Sequence, residues 1–334
     1  MPEEAWDTMD LSVNLAPGRP EGLALGNPVM IASGTFGYDG YGRGFAAEAP
    51  LASLGAVLPK TFTRHARTGN PEPRWFPLSF REALEVGETT LLNSVGLTNP
   101  GIETAMADLA PRWADSEVNF VMSMAGDSAE QWEEMASFTR GVIGFSAIEL
   151  NLSCPNVDDG AMFSHHPLLT EAAISGVRRQ TDLPIWAKLS PNVPDITEIA
   201  CAAVESGADA LTISNTVPAM HVDVETGRAV LGTGYGGLSG PALRPIAVAL
   251  VHKAAQAVDV PIIGVGGIMT GRHAAEFLMA GATAVQVGSA NLADLNAPFR
   301  ILTELEELLT RWEVNTVDQI IGTARWDEPG ALPG

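Results

Sequence analysis

Cysteine is nearly absent. Two residues in 334, Cys154 and Cys201, make neither a disulfide framework nor a Cys-x-x-Cys cluster for zinc or iron–sulfur binding, so any such metal centre would belong to a partner chain. Basic residues are also scarce: 19 Lys and Arg against 40 Asp and Glu give a formal net charge of -21. That charge repels phosphate backbones and anionic lipid headgroups, so nucleic acid and membrane partners are not expected. No window reaches the roughly 18 apolar residues of a membrane span. The opening MPEEAWDTMDLSVNLAPGRP lacks the basic and apolar regions of a secretory signal, and a cytoplasmic location is the expectation. Also missing are a Gly-x-Gly-x-x-Gly fingerprint opening a helix after the first strand and any low-complexity tract.

What is present is a packed-core composition, 46% hydrophobic, with a repeating order. Short apolar runs bounded by Gly, Pro or Asn recur eight times: PVMIASG (28–34), AVLPK (56–60), NFVMSMAG (119–126), AIELNLS (147–153), IWAKLS (185–190), ADALTISN (208–215), PIIGVGG (261–267) and AVQVGS (284–289). Most precede a segment of helical period, such as DITEIACAAVESGA, with Ile196, Ile199, Ala200, Ala203 and Val204 on one stripe. Strand–helix alternation means parallel strands with crossover helices. Eight units predict an α/β fold, a closed (β/α)8 TIM barrel over residues 1–334 as a single domain. An open doubly wound sheet is the rival, disfavoured by the missing dinucleotide fingerprint. Residues 11–27 read as an N-terminal hairpin closing the barrel bottom, and 62–97 and 216–240 as long loops over the carboxyl-end mouth.

Chemistry is expected at that mouth. GVGG (264–267) ends the seventh strand and VGS (287–289) the eighth, which brings the N–H groups of Gly266, Gly267, Gly288 and Ser289 to a place where barrels bind phosphate. Tight turns are the plainer reading of the same glycines. Lys60 and Lys188 end the second and fifth strands; in so acidic a chain, lysines aimed into a barrel mouth suit an anionic ligand. Asn93, Asn151 and Asn215 offer paired donors and acceptors of the kind a pyrimidine ring presents, whereas Asn99 and Asn156 read as turn residues. Cys201 reads as a small buried hydrophobe on its helix. Cys154 lies just past the fourth strand among polar residues, where a thiol can act as base or nucleophile; His165 and His166 read as loop-surface residues.

Taken together, ASGTFGYDG (32–40), PKTFTRHARTGNPEPR (59–74), LLNSVGLTNPG (91–101), IELNLSCPNV (148–157), WAKLSPNV (186–193), SNTVPAMHVDVETGRAVL (214–231), GGLSGPALRP (236–245) and IIGVGGI (262–268) resemble the class 1 dihydroorotate dehydrogenases. The HVDVETGRAVL…GGLSGP segment looks like class 1B, the form paired with an electron-transfer subunit. The resemblance implies an FMN enzyme that oxidises (S)-dihydroorotate to orotate in pyrimidine biosynthesis. It implies FMN contacts from Ser33, Lys60, Thr61, Ser123, Asn151, Lys188, Ser214, Gly240, Gly266, Gly267, Gly288 and Ser289. It implies substrate contacts from Lys60, Asn93, Ser94, Val95, Gly96, Leu97, Asn151, Asn215 and Thr216, with Cys154 as catalytic base and no metal on this chain. Electrons would pass to NAD through a partner subunit carrying FAD and a 2Fe-2S cluster, two such subunits joining a homodimer of this chain as a heterotetramer. Two positions depart from the family pattern: Ser123 stands where Asn is usual, and Ser214 where an aliphatic residue is usual. Other readings are a class 1A enzyme using fumarate, another flavin oxidoreductase of dihydropyrimidines, and a flavin-free barrel that binds a phosphorylated ligand without turnover.

Overall fold

A computed structural model describes residues 9–37, 49–153 and 162–325. Cys154 and Asn156 therefore lie outside the described residues, as does part of the ASGTFGYDG motif. In chain order the strands are β1 (Val13–Asn14), β2 (Ala24–Leu25), β3 (Val29–Ile31), β4 (Ala56–Val57), β5 (Trp75–Phe76), β6 (Leu91–Asn93), β7 (Val121–Met124) and β8 (Ala147–Asn151). There follow β9 (Ile185–Lys188), β10 (Ala210–Ile213), β11 (Val217–Ala219), β12 (Val222–Asp223), β13 (Arg228–Ala229), β14 (Gly236–Ser239), β15 (Ile262–Val265) and β16 (Ala284–Val287).

Eight of these form one parallel sheet in the order β4-β3-β16-β15-β10-β9-β8-β7. Its two edges meet, because Val57 bridges Phe120 in parallel sense and Val57 N donates to Asn119 O at 2.9 Å. Closure leaves the barrel without an exposed edge. Each barrel strand falls inside one of the eight apolar runs. β7, β9, β10, β15 and β16 are buried along their whole length, which explains why they read as continuous apolar stretches rather than alternating ones.

The outer helices follow their sequence period. Helix Ile196–Glu205 starts at Asp195, whose carboxylate accepts from Thr197 N at 3.0 Å, and buries Ile196, Ile199, Ala200 and Ala203 against the sheet. Truncating Ile199 to Ala there would cost about 2–5 kcal/mol. Cys201 sits on the same helix half-buried, its thiol 3.8 Å from the Ala257 carbonyl, so it is less enclosed than the sequence suggested because it flanks the apolar stripe.

At the amino end of the barrel the β1–β2 hairpin pairs antiparallel and seats Leu11, Val13, Leu15 and Leu25 in the core. Its turn is tied down by Arg19, which donates to Asp209 at 2.8 Å; Asp209 also accepts from Arg178 and from Ile185 N, at 2.7 and 2.8 Å. The hairpin thus closes the barrel bottom.

The two long connections do more than arch over the mouth separately. They pair with one another in a second sheet of order β11-β14-β6-β5, with Asn93 opposite both Gly237 and Trp75. This sheet covers the carboxyl ends of the barrel strands.

Candidate active site

A pocket opens where the carboxyl ends of the barrel strands meet the second sheet. Its lining includes Ser33, Lys60, Thr61, Asn93, Val95, Leu97, Ser123, Asn151, Lys188, Ser214, Asn215, Thr216, Gly266, Gly267, Gly288 and Ser289. The expected site positions thus converge from the carboxyl ends of all eight barrel strands and from the covering sheet. Three do not line it. Gly96, at φ +75°, is held against Asn70, where an added Cβ would lie 2.6 Å from that residue. Ser94 donates its backbone N–H to Arg74 O at 2.9 Å. The Gly240 carbonyl stands 2.7 Å from where a Cβ on Gly267 would be, so Gly240 supports the glycine turn from behind.

That turn and its neighbour offer unused donors. Gly266 and Gly267 have φ of +133° and +69°, a region that side chains rarely adopt. Among the described residues, no protein acceptor takes the backbone N–H of Gly266, Gly267, Gly288 or Ser289. Four uncommitted amides beside a pocket with two lysines suit a phosphate. On one wall, Ser33 Oγ and Thr61 Oγ1 are 2.9 Å apart, and Thr61 Oγ1 and Ser123 Oγ also 2.9 Å. Ser123 is fully buried in this hydroxyl chain, so the serine in place of the family's asparagine keeps a polar partner. Hydroxyls, amides and two ammonium groups form a donor set that fits FMN.

Lys188 is the last residue of β9 and only 8% exposed. Its Nζ lies 4.0 Å from Glu149 Oε1. Glu149, Thr212 and Gln286 were not anticipated from the sequence. They form a polar layer inside the barrel below the pocket: Glu149 Oε2 accepts from Thr212 Oγ1 at 2.9 Å and from Gln286 Nε2 at 2.6 Å, all three fully buried. The available signal was a polar residue flanked on both sides by apolar ones at the centre of each of AIELN, ALTIS and AVQVG. Trp186, two residues before Lys188 and so on the same face of β9, fills the barrel interior with no exposed surface.

The asparagines divide as their neighbours dictate. Asn215 Nδ2 donates to Asn151 Oδ1 at 3.0 Å, and Asn93 Nδ2 to Gly237 O at 3.3 Å. Asn99 is structural: its Oδ1 accepts from Thr63 N and Gly101 N at 3.1 and 2.8 Å, and its Nδ2 donates to Leu97 O at 2.7 Å. Those bonds hold Leu97 at φ +53°, a left-handed conformation that a leucine keeps only where its surroundings fix it.

Near the start of the segment that contains Cys154, the chain leaves β8 through Leu152, whose N–H donates to Lys188 O at 3.3 Å. His165 and His166 are exposed, as expected. His166 caps helix Pro167–Arg178 by accepting from Leu168 N at 3.3 Å, and His165 Nε2 lies 3.2 Å from Ser190 Oγ. Partial burial lowers the His165 pKa.

The family model described as dihydroorotate dehydrogenase matches residues 19–309. The chain is 45% identical over 306 residues to the Desulforudis audaxviator protein named dihydroorotate dehydrogenase B (NAD(+)), catalytic subunit, covering 91% of this chain and 95% of that one. It is 40% identical over 316 residues to the protein of the same name from Geobacter metallireducens, covering 94% and 97%. A Solibacter usitatus protein named putative dihydroorotate dehydrogenase A (fumarate) is 41% identical over 306 residues, covering 91% and 97%.

Proposed function

The chain belongs to the dihydroorotate dehydrogenase family, and on that premise we propose that it is the FMN-binding catalytic subunit of an NAD-linked enzyme oxidising (S)-dihydroorotate to orotate in pyrimidine biosynthesis. The observation that carries the reading is the gathering of Lys60, Lys188, Asn93, Asn151, Asn215 and the unused amides of Gly266, Gly267, Gly288 and Ser289 in one pocket at the barrel mouth.

Bound FMN would supply the acceptor for a hydride. The phosphate would be held by the four backbone amides, and Lys188 would place positive charge where a flavin gains negative charge on reduction. Thr61 and Ser123 fix one wall through their hydroxyl chain, which leaves little freedom for that side of the pocket. The substrate anion would meet Lys60, with Asn93, Asn151 and Asn215 reading the donors and acceptors of its ring. Cys154 Sγ would take the proton from the carbon α to the substrate carbonyl, while the hydride leaves from the adjacent carbon; orotate is the product of both losses. The enolate-like charge that grows during proton removal would be stabilised by Lys60 and the asparagine amides. The sheet β11-β14-β6-β5 would restrict water at the mouth once ligands are bound, which would strengthen each of these interactions.

Among the described residues no helix is long and apolar enough to cross a membrane. Names of relatives that contain the words catalytic subunit support a separate electron-transfer partner, for which the proposal is a subunit with FAD and a 2Fe-2S cluster, two copies joining a dimer of this chain. Anaerobic mixing of the purified chain with dihydroorotate tests the reading. The flavin absorbance should bleach, and a colourless preparation that cannot be loaded with FMN would favour the phosphate-binding barrel instead. The relative named for fumarate at 41% identity makes class 1A the second reading. Fumarate turnover by the isolated chain would establish it, whereas NAD reduction only after the partner is added is the outcome expected here.

A further inference from the structure

A carboxylate sits beneath the pocket in a place where no charge is needed to fold a barrel. Glu149 projects inward from the middle of β8, fully buried, while most other residues of that strand are apolar. One oxygen, Oε2, accepts from Thr212 Oγ1 at 2.9 Å and from Gln286 Nε2 at 2.6 Å. Both partners are donors to it, which suits an acceptor-only carboxylate. The other oxygen, Oε1, has no hydrogen-bond partner among the described residues and lies 4.0 Å from Lys188 Nζ. Glu149 also forms part of the pocket lining.

The spacing is informative. At 4.0 Å the pair is beyond hydrogen-bond reach, so the ammonium protons of Lys188 are not used by Glu149 and stay available to a pocket ligand. The charges nevertheless act on one another strongly, because the surroundings are buried and exclude screening solvent. Thr212 and Gln286 pin Oε2 from two other strands, β10 and β16, which holds the negative charge still.

We infer that Glu149 is a positioning residue that sets the redox balance of the bound flavin through Lys188. The inference rests on the FMN reading above. An unopposed Lys188 charge would favour the reduced flavin, which carries the extra negative charge; the fixed Glu149 carboxylate offsets part of that preference. The chain thereby keeps its flavin reducing enough to pass electrons onward to a low-potential acceptor, the task of an NAD-linked subunit.

The test is the two-electron midpoint potential of FMN on the purified protein, measured spectroelectrochemically for the parent and for Glu149→Gln. The variant should shift the equilibrium toward reduced FMN by at least tenfold, about 30 mV upward for a two-electron couple. By the thermodynamic cycle with free FMN, it should also bind reduced FMN at least tenfold more tightly, relative to oxidised FMN, than the parent does. Glu149→Asp, which keeps the charge, should stay closer to the parent. If the Gln variant does not fold because its amide faces the ammonium, Glu149→Met removes the charge without adding a donor and carries the same expectation. An equilibrium constant within about twofold of the parent in the charge-removing variant, with FMN bound and reducible by dihydroorotate, would overturn the role of Glu149 and leave the enzyme assignment standing. A parent chain that binds no FMN would sink both.

Discussion

Asn215 Nδ2 donates to Asn151 Oδ1 at 3.0 Å, and Asn215 Oδ1 accepts from Thr216 N at 2.8 Å. The second bond fixes which end of the Asn215 amide faces Asn151, and the first uses the Asn151 carbonyl oxygen. Among the described residues Asn151 Nδ2 has no protein acceptor, which leaves its donor to the pocket that Asn151 lines. Asn151→Asp would preserve the contact with Asn215 while replacing that donor with negative charge. It should lower kcat/KM for dihydroorotate by at least about 100-fold, more than Asn151→Ala, because it adds repulsion of an anionic substrate to the loss of a hydrogen bond to a charged group, about 1.5–3 kcal/mol. Steady-state kinetics at saturating acceptor decide this. Equal kcat/KM in the Asp variant and the parent would remove Asn151 from the substrate site.

The glycines of the proposed phosphate cradle are not equal probes. A Cβ on Gly267 would stand 2.7 Å from Gly240 O and 2.9 Å from Arg244, on a residue at φ +69°. Any loss of FMN in Gly267→Val would therefore mix strain with blocking. Gly288 is the cleaner position, since its added Cβ would meet only Ala32, at 3.6 Å, and its backbone is open to side chains. Gly288→Val should weaken FMN binding by tenfold or more while the apoprotein unfolds within about 1 kcal/mol of the parent, the ordinary range for a residue that disturbs no packing. Isothermal titration with FMN and a denaturant curve on the same apoprotein provide both numbers. Unchanged FMN affinity would remove Gly288 from the cradle.

The barrel was legible because its strands are short apolar runs between glycines and prolines, and because parallel strands buried on both faces leave no alternation to misread. The amino-terminal hairpin and the arrival of Lys188 at a strand end followed from the same local patterns. The pairing of β6 with β14 was not legible. It joins Asn93 to Gly237, and nothing local to either segment names a partner so distant in the chain. Glu149 is hidden in the sequence for a related reason: within AIELN it is one of two polar residues, and only the register of β8 against β9, and through it β10, sets it beside Lys188 and Thr212. The resemblance gives Gly96 to the substrate, and what resemblance alone does not convey is that its positive φ and its closeness to Asn70 also make it a shaping residue of the loop.

His273 gives a pH dependence of stability. Burial is the main cause that lowers its pKa and the Arg244 charge adds to it, against smaller opposing contributions from Glu276 and Glu304. Its Nδ1 accepts from Met269 N at 3.2 Å, a bond that requires an unprotonated nitrogen. A histidine whose folded pKa lies below its unfolded value binds fewer protons when folded. Its contribution is complete above the unfolded pKa, about 6.5, and is lost as pH falls from there to the folded pKa. Thermal unfolding should therefore show a decline in Tm that sets in as pH falls through about 6.5, above the range where carboxylates titrate. His273→Gln should flatten that segment. An identical slope in the variant would assign the decline elsewhere, with His165, also lowered by burial, as the next residue to replace.

Cys154 follows Ser153 in the segment just beyond the carboxyl end of β8, the end at which Asn151 and Lys188 line the pocket. A base that works opposite a flavin has to come from loops at that end, since the barrel interior below is filled by Trp186 and the Glu149 layer. A thiol in water titrates near about 8.5, so most of it is protonated at neutral pH and the rate of flavin reduction should climb as pH passes through that region. Cys154→Ala should leave FMN and orotate affinity within about threefold, because the groups proposed to hold them lie on other residues, and should slow reduction by dihydroorotate roughly 100-fold to 10,000-fold, the usual contribution of a positioned base. Cys154→Ser should restore little at neutral pH, its hydroxyl being far harder to deprotonate, and should regain rate only as pH rises. Anaerobic stopped-flow measurement of flavin reduction across pH separates the possibilities. A Cys154→Ala rate within about threefold of the parent would show that proton removal does not depend on this thiol, and the base would then have to be sought among the other groups lining the mouth.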